Sequence, residues 1–180
     1  IFIMNFKNRV LFFADCAVQI EPNEEQLSEI AAGTADLFRK LMKREPRMAF
    51  LSFSNFGSND HEKAKRIKRA VNLTKTKYPN LIVDGEMQAD VAVNKGLMDK
   101  LFSFSALDAP TDILIFPDLN SANISYKLLA QLANANAIGP ILIPMNHTAN
   151  IIPRTASVTE IVNMCVLSAL LSDKKISTKE

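Results

Sequence analysis

Apolar residues fall in short dense runs, separated by longer stretches where they recur every three or four positions. The runs are IFIMNF (1–6), VLFFADCAV (10–18), RMAFLSF (47–53), the opening of LIVDGEMQADVAV (81–93), DILIFPDL (112–119) and AIGPILI (137–143). Short runs rich in Ile, Val, Leu and Phe predict strands covered on both faces. Lys7, Asn8 and Arg9 make a polar turn between the first two runs, so these read as a joined pair.

The intervening stretches predict helices. Asn23 follows Pro22 and has Gln26 three residues on, a capping box, after which Leu27, Ile30, Ala31, Thr34, Phe38 and Leu41 lie on one face until Pro46. Asp60 is the expected cap of a helix to about Tyr78, with Ala64, Ile67, Ala70, Val71 and Thr74 inward. Residues 81–93 read as a strand, a turn at Asp84–Gly85 and a short helix. Asn120 is the expected start of a helix carrying Ile124, Leu128 and Leu132. Pro144 is expected to end the strand at 137–143. Ser157 caps a last helix with Glu160 as its partner, and the residues beyond Ser172 read as a frayed polar tail.

Alternating strands and helices predict an α/β fold, with a mainly parallel sheet covered by helices on both faces. The one expected boundary lies near residues 144–150, where Pro144, Asn146 and Asn150 break the pattern. At 180 residues, 48% hydrophobic and 22% charged, the chain can bury a core. A net charge of +2 does not argue for nucleic acid or an anionic membrane, and no apolar run approaches the ~20 residues of a membrane span. Cys16 and Cys165 sit in apolar runs and read as reduced thiols of a cytoplasmic protein. The sequence opens inside a strand pattern without an initiator methionine or signal-peptide layout, which leads us to expect a portion of a longer polypeptide.

In parallel α/β sheets, ligands gather beyond the carboxyl ends of the strands. SFSNFGSND (52–60) holds that position between strand and helix, and its Ser54, Asn55, Gly57 and Ser58 are suited to a phosphate or carboxylate. The same residues also suit a plain turn and cap. Lys63, Lys65, Arg66, Lys68, Arg69, Lys75 and Lys77 follow, mostly off the apolar face, and read as a solvated helix surface. FPDLNSAN (116–123) offers Asp118, Asn120 and Asn123 at a second helix start, and IIPRTASVTE (151–160) offers Arg154 at a third. Three polar helix starts suggest one shared cleft. Asp15 suits a loop tie, and Cys16 reads as a small buried hydrophobe rather than a reactive thiol. His61 and His147 have no metal-ligand spacing. GxGxxG, Walker and GxSxG patterns are absent, and no two glycines stand closer than eleven positions.

In order, FFADCAV, RMAFLSFSNFGS, VDGEMQAD, FPDLNSANISYKL, AIGPILI and SVTEIVNM resemble the closing half of phosphate acetyltransferases, over residues 3 to 172. The resemblance implies the second subdomain of a phosphotransacetylase-like (isocitrate/isopropylmalate dehydrogenase-like) fold over residues 1–150. Residues 151–172 would return to a first subdomain, and 173–180 form the tail. Those enzymes typically read STKGS where this chain has SNFGS, so Phe56 replaces a lysine. They read SRGCSVED where this chain has PRTASVTE: Arg154 keeps the substrate arginine, Pro153 replaces a serine and Glu160 an aspartate. Proline donates nothing, phenylalanine neutralises no phosphate, and a carboxylate displaced by one methylene can lower a rate ~100-fold.

DGEMQAD and SNFGS are instead similar to the C-terminal region of large bacterial NADP-dependent malic enzymes. That resemblance implies an oligomerising region that senses acetyl-CoA and has no catalysis or cofactor of its own. NADP, a divalent metal and malate oxidation would belong to another part of the protein. Ser54, Asn55, Gly57, Ser58, Asp118, Asn120 and Arg154 are the implied ligand contacts, within a homo-oligomer without nucleic acid or membrane. The alternatives are an active phosphate acetyltransferase using Arg154 and Glu160, and a purely structural dimer platform.

Overall fold

A computed structural model describes residues 1–143, 149–154 and 156–172. The elements are β1 (Phe2–Phe6), β2 (Arg9–Ala14), α1 (Glu24–Met42), β3 (Arg47–Leu51), α2 (Glu62–Lys77) and β4 (Ile82–Met87). They continue with α3 (Ala89–Val93), α4 (Lys95–Leu101), β5 (Ile113–Ile115), α5 (Leu119–Leu132), β6 (Asn136–Ile138) and α6 (Val158–Ser172). One six-stranded sheet runs β4-β3-β5-β2-β1-β6.

The sheet is mixed, which corrects the expectation of a mainly parallel one. β4, β3, β5 and β2 pair in parallel, whereas β1 runs against both β2 and β6. The short polar turn after Phe6 forces this, because a hairpin can join only antiparallel strands.

Successive strand residues point to opposite faces, and the core divides accordingly. Phe12, Met48, Phe50, Ile113 and Ile115 join α1, α2 and α6 on one face. Leu11, Phe13, Ala49, Leu51, Leu114 and Phe116 join α3, α4 and α5 on the other. Thr34 and Thr74 are buried on α1 and α2, their hydroxyls donating to the carbonyls of Ile30 and Ala70. That satisfies a polar group which would otherwise be costly to bury.

Several boundaries differ from the sequence reading. Asn23 and Gln26 form the capping box, but α1 ends at Lys43, left-handed at φ 56°, three residues before Pro46. The α2 cap is His61, whose Nδ1 accepts from Lys63 N, while Asp60 pairs with Lys65. The inward face of α2 is the expected one. No turn occurs at Asp84–Gly85, because both residues belong to β4. Gly139–Pro140 ends β6, since proline has no N–H for the ladder, and beyond it Ile141 exchanges two main-chain hydrogen bonds with Ile1 and forms an isolated bridge to Asn150. Asp118, not Asn120, caps α5. Ile124, Leu128 and Leu132 point outward, while the small Ala122 lets α5 sit close on the sheet. Pro144, Asn146, His147 and the 173–180 tail lie outside the described residues. Among the described residues no helix is long and apolar enough to cross a membrane.

Candidate functional site

The β3–α2 loop is shaped by a bulge in β4. Phe50 pairs with Gly85 but Leu51 pairs with Met87, leaving Glu86 as the extra residue of its strand. The consequence shows in the core: Val83 and Met87, four apart, lie on opposite faces of the sheet. A bulge re-aims the side chain it carries. Gly85 permits it with φ +138°, where a Cβ would stand 2.7 Å from the Phe50 carbonyl oxygen.

Glu86 is thereby turned into the loop. Its Oε1 accepts from the Ser54 hydroxyl at 2.9 Å and from Gly57 N–H at 2.6 Å. Its main-chain oxygen accepts from Phe56 N–H at 2.7 Å. The other loop amides are also engaged: Ser54 N with Ser52 Oγ, Asn55 N with Ser58 Oγ, Ser58 N with Asn55 O, and Asn59 N with Ser54 Oγ. Asn55 and Gln88 exchange two hydrogen bonds, and Gln88 also donates to Phe53 O. SNFGS and GEMQ are thus two sides of one clasp.

Phe56 is held left-handed at φ 48°, a conformation costing ~1–2 kcal/mol outside glycine. Its ring packs against Phe102 and Phe104, at 5.1 and 5.0 Å between centroids.

The neighbouring strand end delivers Asp118 beside this loop, since β5 lies next to β3 and Arg66 of α2 donates to Pro117 O. Asp118 is half-buried and its carboxylate accepts from Ser121 N–H as the α5 cap. Asn120 is exposed one residue into the helix. The third helix start sits elsewhere. Pro153 and Glu160 line a cavity of about 440 Å³ with Phe2, Tyr126, Lys127 and Asn163, and no residue of the two other loops borders it. Arg154 is exposed at that start. Glu160 accepts from both the amide and the hydroxyl of Ser157, bonds that hold its carboxyl below the ordinary value of 4.5. The structure therefore sets the first two starts at adjacent strand ends and gives the third a cavity lined by neither of their loops.

The Asp15 carboxylate accepts from the amides of Ala17, Val18 and Gln19 and ties down the turn after β2. Cys16 is buried, and loss of solvation pushes its thiol up to about 12, so it stays protonated and unreactive at neutral pH. Among the described residues no cluster of His, Cys, Asp or Glu is arranged to hold a metal. Glu86 and Gln88 are the residues the sequence reading missed. Only the glycine before Glu86 hinted at a strand that changes direction.

Comparison with known proteins agrees with this architecture. The family model described as "Phosphate acetyl/butaryl transferase" matches residues 1–169. The phosphate acetyltransferase of Thermoanaerobacterium thermosaccharolyticum is 40% identical over 164 residues, 91% of this chain and 50% of that protein. An NADP-dependent malic enzyme of Haemophilus influenzae is 36% identical over 165 residues, 92% of this chain and 22% of that protein. The EutD phosphotransacetylase of Staphylococcus aureus superposes with a TM-score of 0.89 at 30% identity, over 96% of this chain and 53% of that one. The chain thus spans about half the length of the transferases it matches. With the same fold and nearly the whole chain matched, it belongs to the phosphate acetyl/butyryl transferase family.

Proposed function

We propose that the chain is the closing half of an acyltransferase that moves acetyl between phosphate and the thiol of coenzyme A. In that reaction the sulfur attacks the acetyl carbonyl carbon, the acyl–oxygen bond to phosphate breaks, and the thiol proton passes to a base. Arg154 would hold the phosphate as a planar two-pronged donor, and Glu160 would accept the proton or orient the arginine. The observation that carries the reading is geometric. Glu160 lines the 440 Å³ cavity, a size suited to a small-molecule site, and Arg154 stands at the same helix start. The test is thioester formation by the full-length protein from coenzyme A and acetyl phosphate. Arg154→Ala should lower the rate ~100-fold or more; no thioester from the wild type overturns the reading.

A second reading rests on the clasp. With Phe56 packed among aromatics and the loop amides engaged internally, the region suits ligand sensing better than phosphate chemistry. It would then be the acetyl-CoA-binding, oligomerising part of a malic enzyme, with NADP, metal and malate oxidation elsewhere in the protein. Asn55, Ser58, Asn120 and Arg154 keep exposed or half-buried side chains for such contacts. Calorimetry of the full-length protein with acetyl-CoA separates the two, since this reading requires heat that Arg154→Ala removes without any turnover.

In both readings residues 151–172 return to a missing first subdomain. The exposure of Val158, Val162, Val166 and Leu170 on α6 supports this, because such a helix needs cover. A homo-oligomer in both readings is supported by the outward apolar stripe of α5.

A further inference from the structure

The 54–59 loop has the makings of an anion site, and an anion is already in it. Gly57, left-handed at φ +88°, turns its N–H inward, and the fully buried Ser54 turns its hydroxyl the same way. Lys68 brings its ammonium to the rim, 3.4 Å from where a Cβ on Gly57 would stand. The occupant is the Glu86 carboxylate, on a residue only 1% exposed. Its Oε1 takes both donors, and its buried Oε2 has no partner among the described residues.

We propose that residues 54–59 form a carboxylate-binding site that the chain fills with its own Glu86, and that Glu86 thereby keeps phosphate and acyl phosphate out of this loop. The Ser54 hydroxyl and the Gly57 N–H each have one proton to give, so a second anion finds neither inner donor free. Two negative charges within ~4–6 Å also oppose each other strongly where water is excluded. Replacing Phe56 by lysine would not reopen the loop while Glu86 stays. Any phosphate the protein handles is then held away from this loop. In the acetyl-CoA reading, Asn55 and Ser58 would then meet an uncharged part of the ligand.

The experiment is chemical rescue in the full-length protein, read by thermal unfolding in formate, phosphate or chloride at equal ionic strength. Glu86→Ala should lower Tm by at least about 4 °C. Formate should restore at least half of that loss, phosphate should stabilise the variant more than chloride does, and the wild type should respond to none. Adding Ser54→Ala to Glu86→Ala should abolish the formate effect. No recovery of the variant in formate, no gain in phosphate over chloride, or a wild type stabilised by either anion overturns the proposal. Should Glu86→Ala fail to fold, hydrogen exchange of the segment containing Gly57 decides in Glu86→Gln, which keeps the shape and removes the charge. Exchange should rise several-fold; unchanged exchange overturns the proposal.

Discussion

Gly85 is the residue on which the site's shape turns. It has no side chain to strike the Phe50 carbonyl, and its φ of +138° suits glycine almost alone. Gly85→Ala should therefore cost about 2–3 kcal/mol, seen as an earlier midpoint in urea unfolding. A midpoint equal to the wild type's would mean that the bulge tolerates a side chain. At this scale the sequence was legible in part. A Ser/Asn/Gly loop at a strand end offered donors that suited either an anion or a plain turn, and Ser54 and Gly57 donate to the chain's own Glu86. What it could not announce was the source of that anion. Glu86 is 32 positions from Ser54, and its direction depends on a one-residue bulge with no local signature beyond a glycine. Cys16 read correctly as a buried hydrophobe, because its apolar neighbours already argued for it.

Capping boxes were the most legible elements, whereas the α2 and α5 starts fell at His61 and Asp118 rather than at Asp60 and Asn120. The Asn23–Gln26 and Ser157–Glu160 boxes are made within one turn of chain, so neighbours in sequence settle them. Helix ends and strand limits were less so: Lys43 stops α1 by turning left-handed, a choice that tertiary context made before Pro46 could. The α5 stripe is the instructive case. Spacing of four residues correctly placed Ile124, Leu128 and Leu132 on one face, yet that face is the outer one, with Leu132 81% exposed. Periodicity identifies a face but not what meets it. If the stripe joins copies of the protein, Leu128→Asp should lower the mass measured by light scattering while leaving the circular dichroism unchanged. Equal masses for variant and wild type would remove α5 from the interface.

For the molecule as a whole, surface ion pairs set the acid limit. Lys77 of α2 holds Glu29 of α1, Arg39 holds Glu45, and Arg47 holds Asp108, each bond lowering that carboxyl below its ordinary value of 4.5, 4.5 and 3.8 respectively. Depressed values mean that the stabilisation is fully present above the unfolded values and disappears as pH falls through the folded ones. Melting temperature should therefore be insensitive to these groups from pH 8 to about 5 and fall below about 4.5. All three pairs are at the surface, so added salt should flatten the fall; an acid limb unchanged in salt would place its origin in the interior. The alternation of runs and periodic stretches determined an α/β protein, the capping boxes of α1 and α6, its two-faced strands and the chemical character of its loops, because each of these depends on residues close in the chain. Only the tertiary structure decided that β6 joins the sheet beyond β1, that the α6 start has a cavity apart from the other two, and that a carboxylate from β4 fills the loop after β3. Those outcomes depend on distant segments meeting across the sheet, where burial and one unpaired strand residue outweigh local preference.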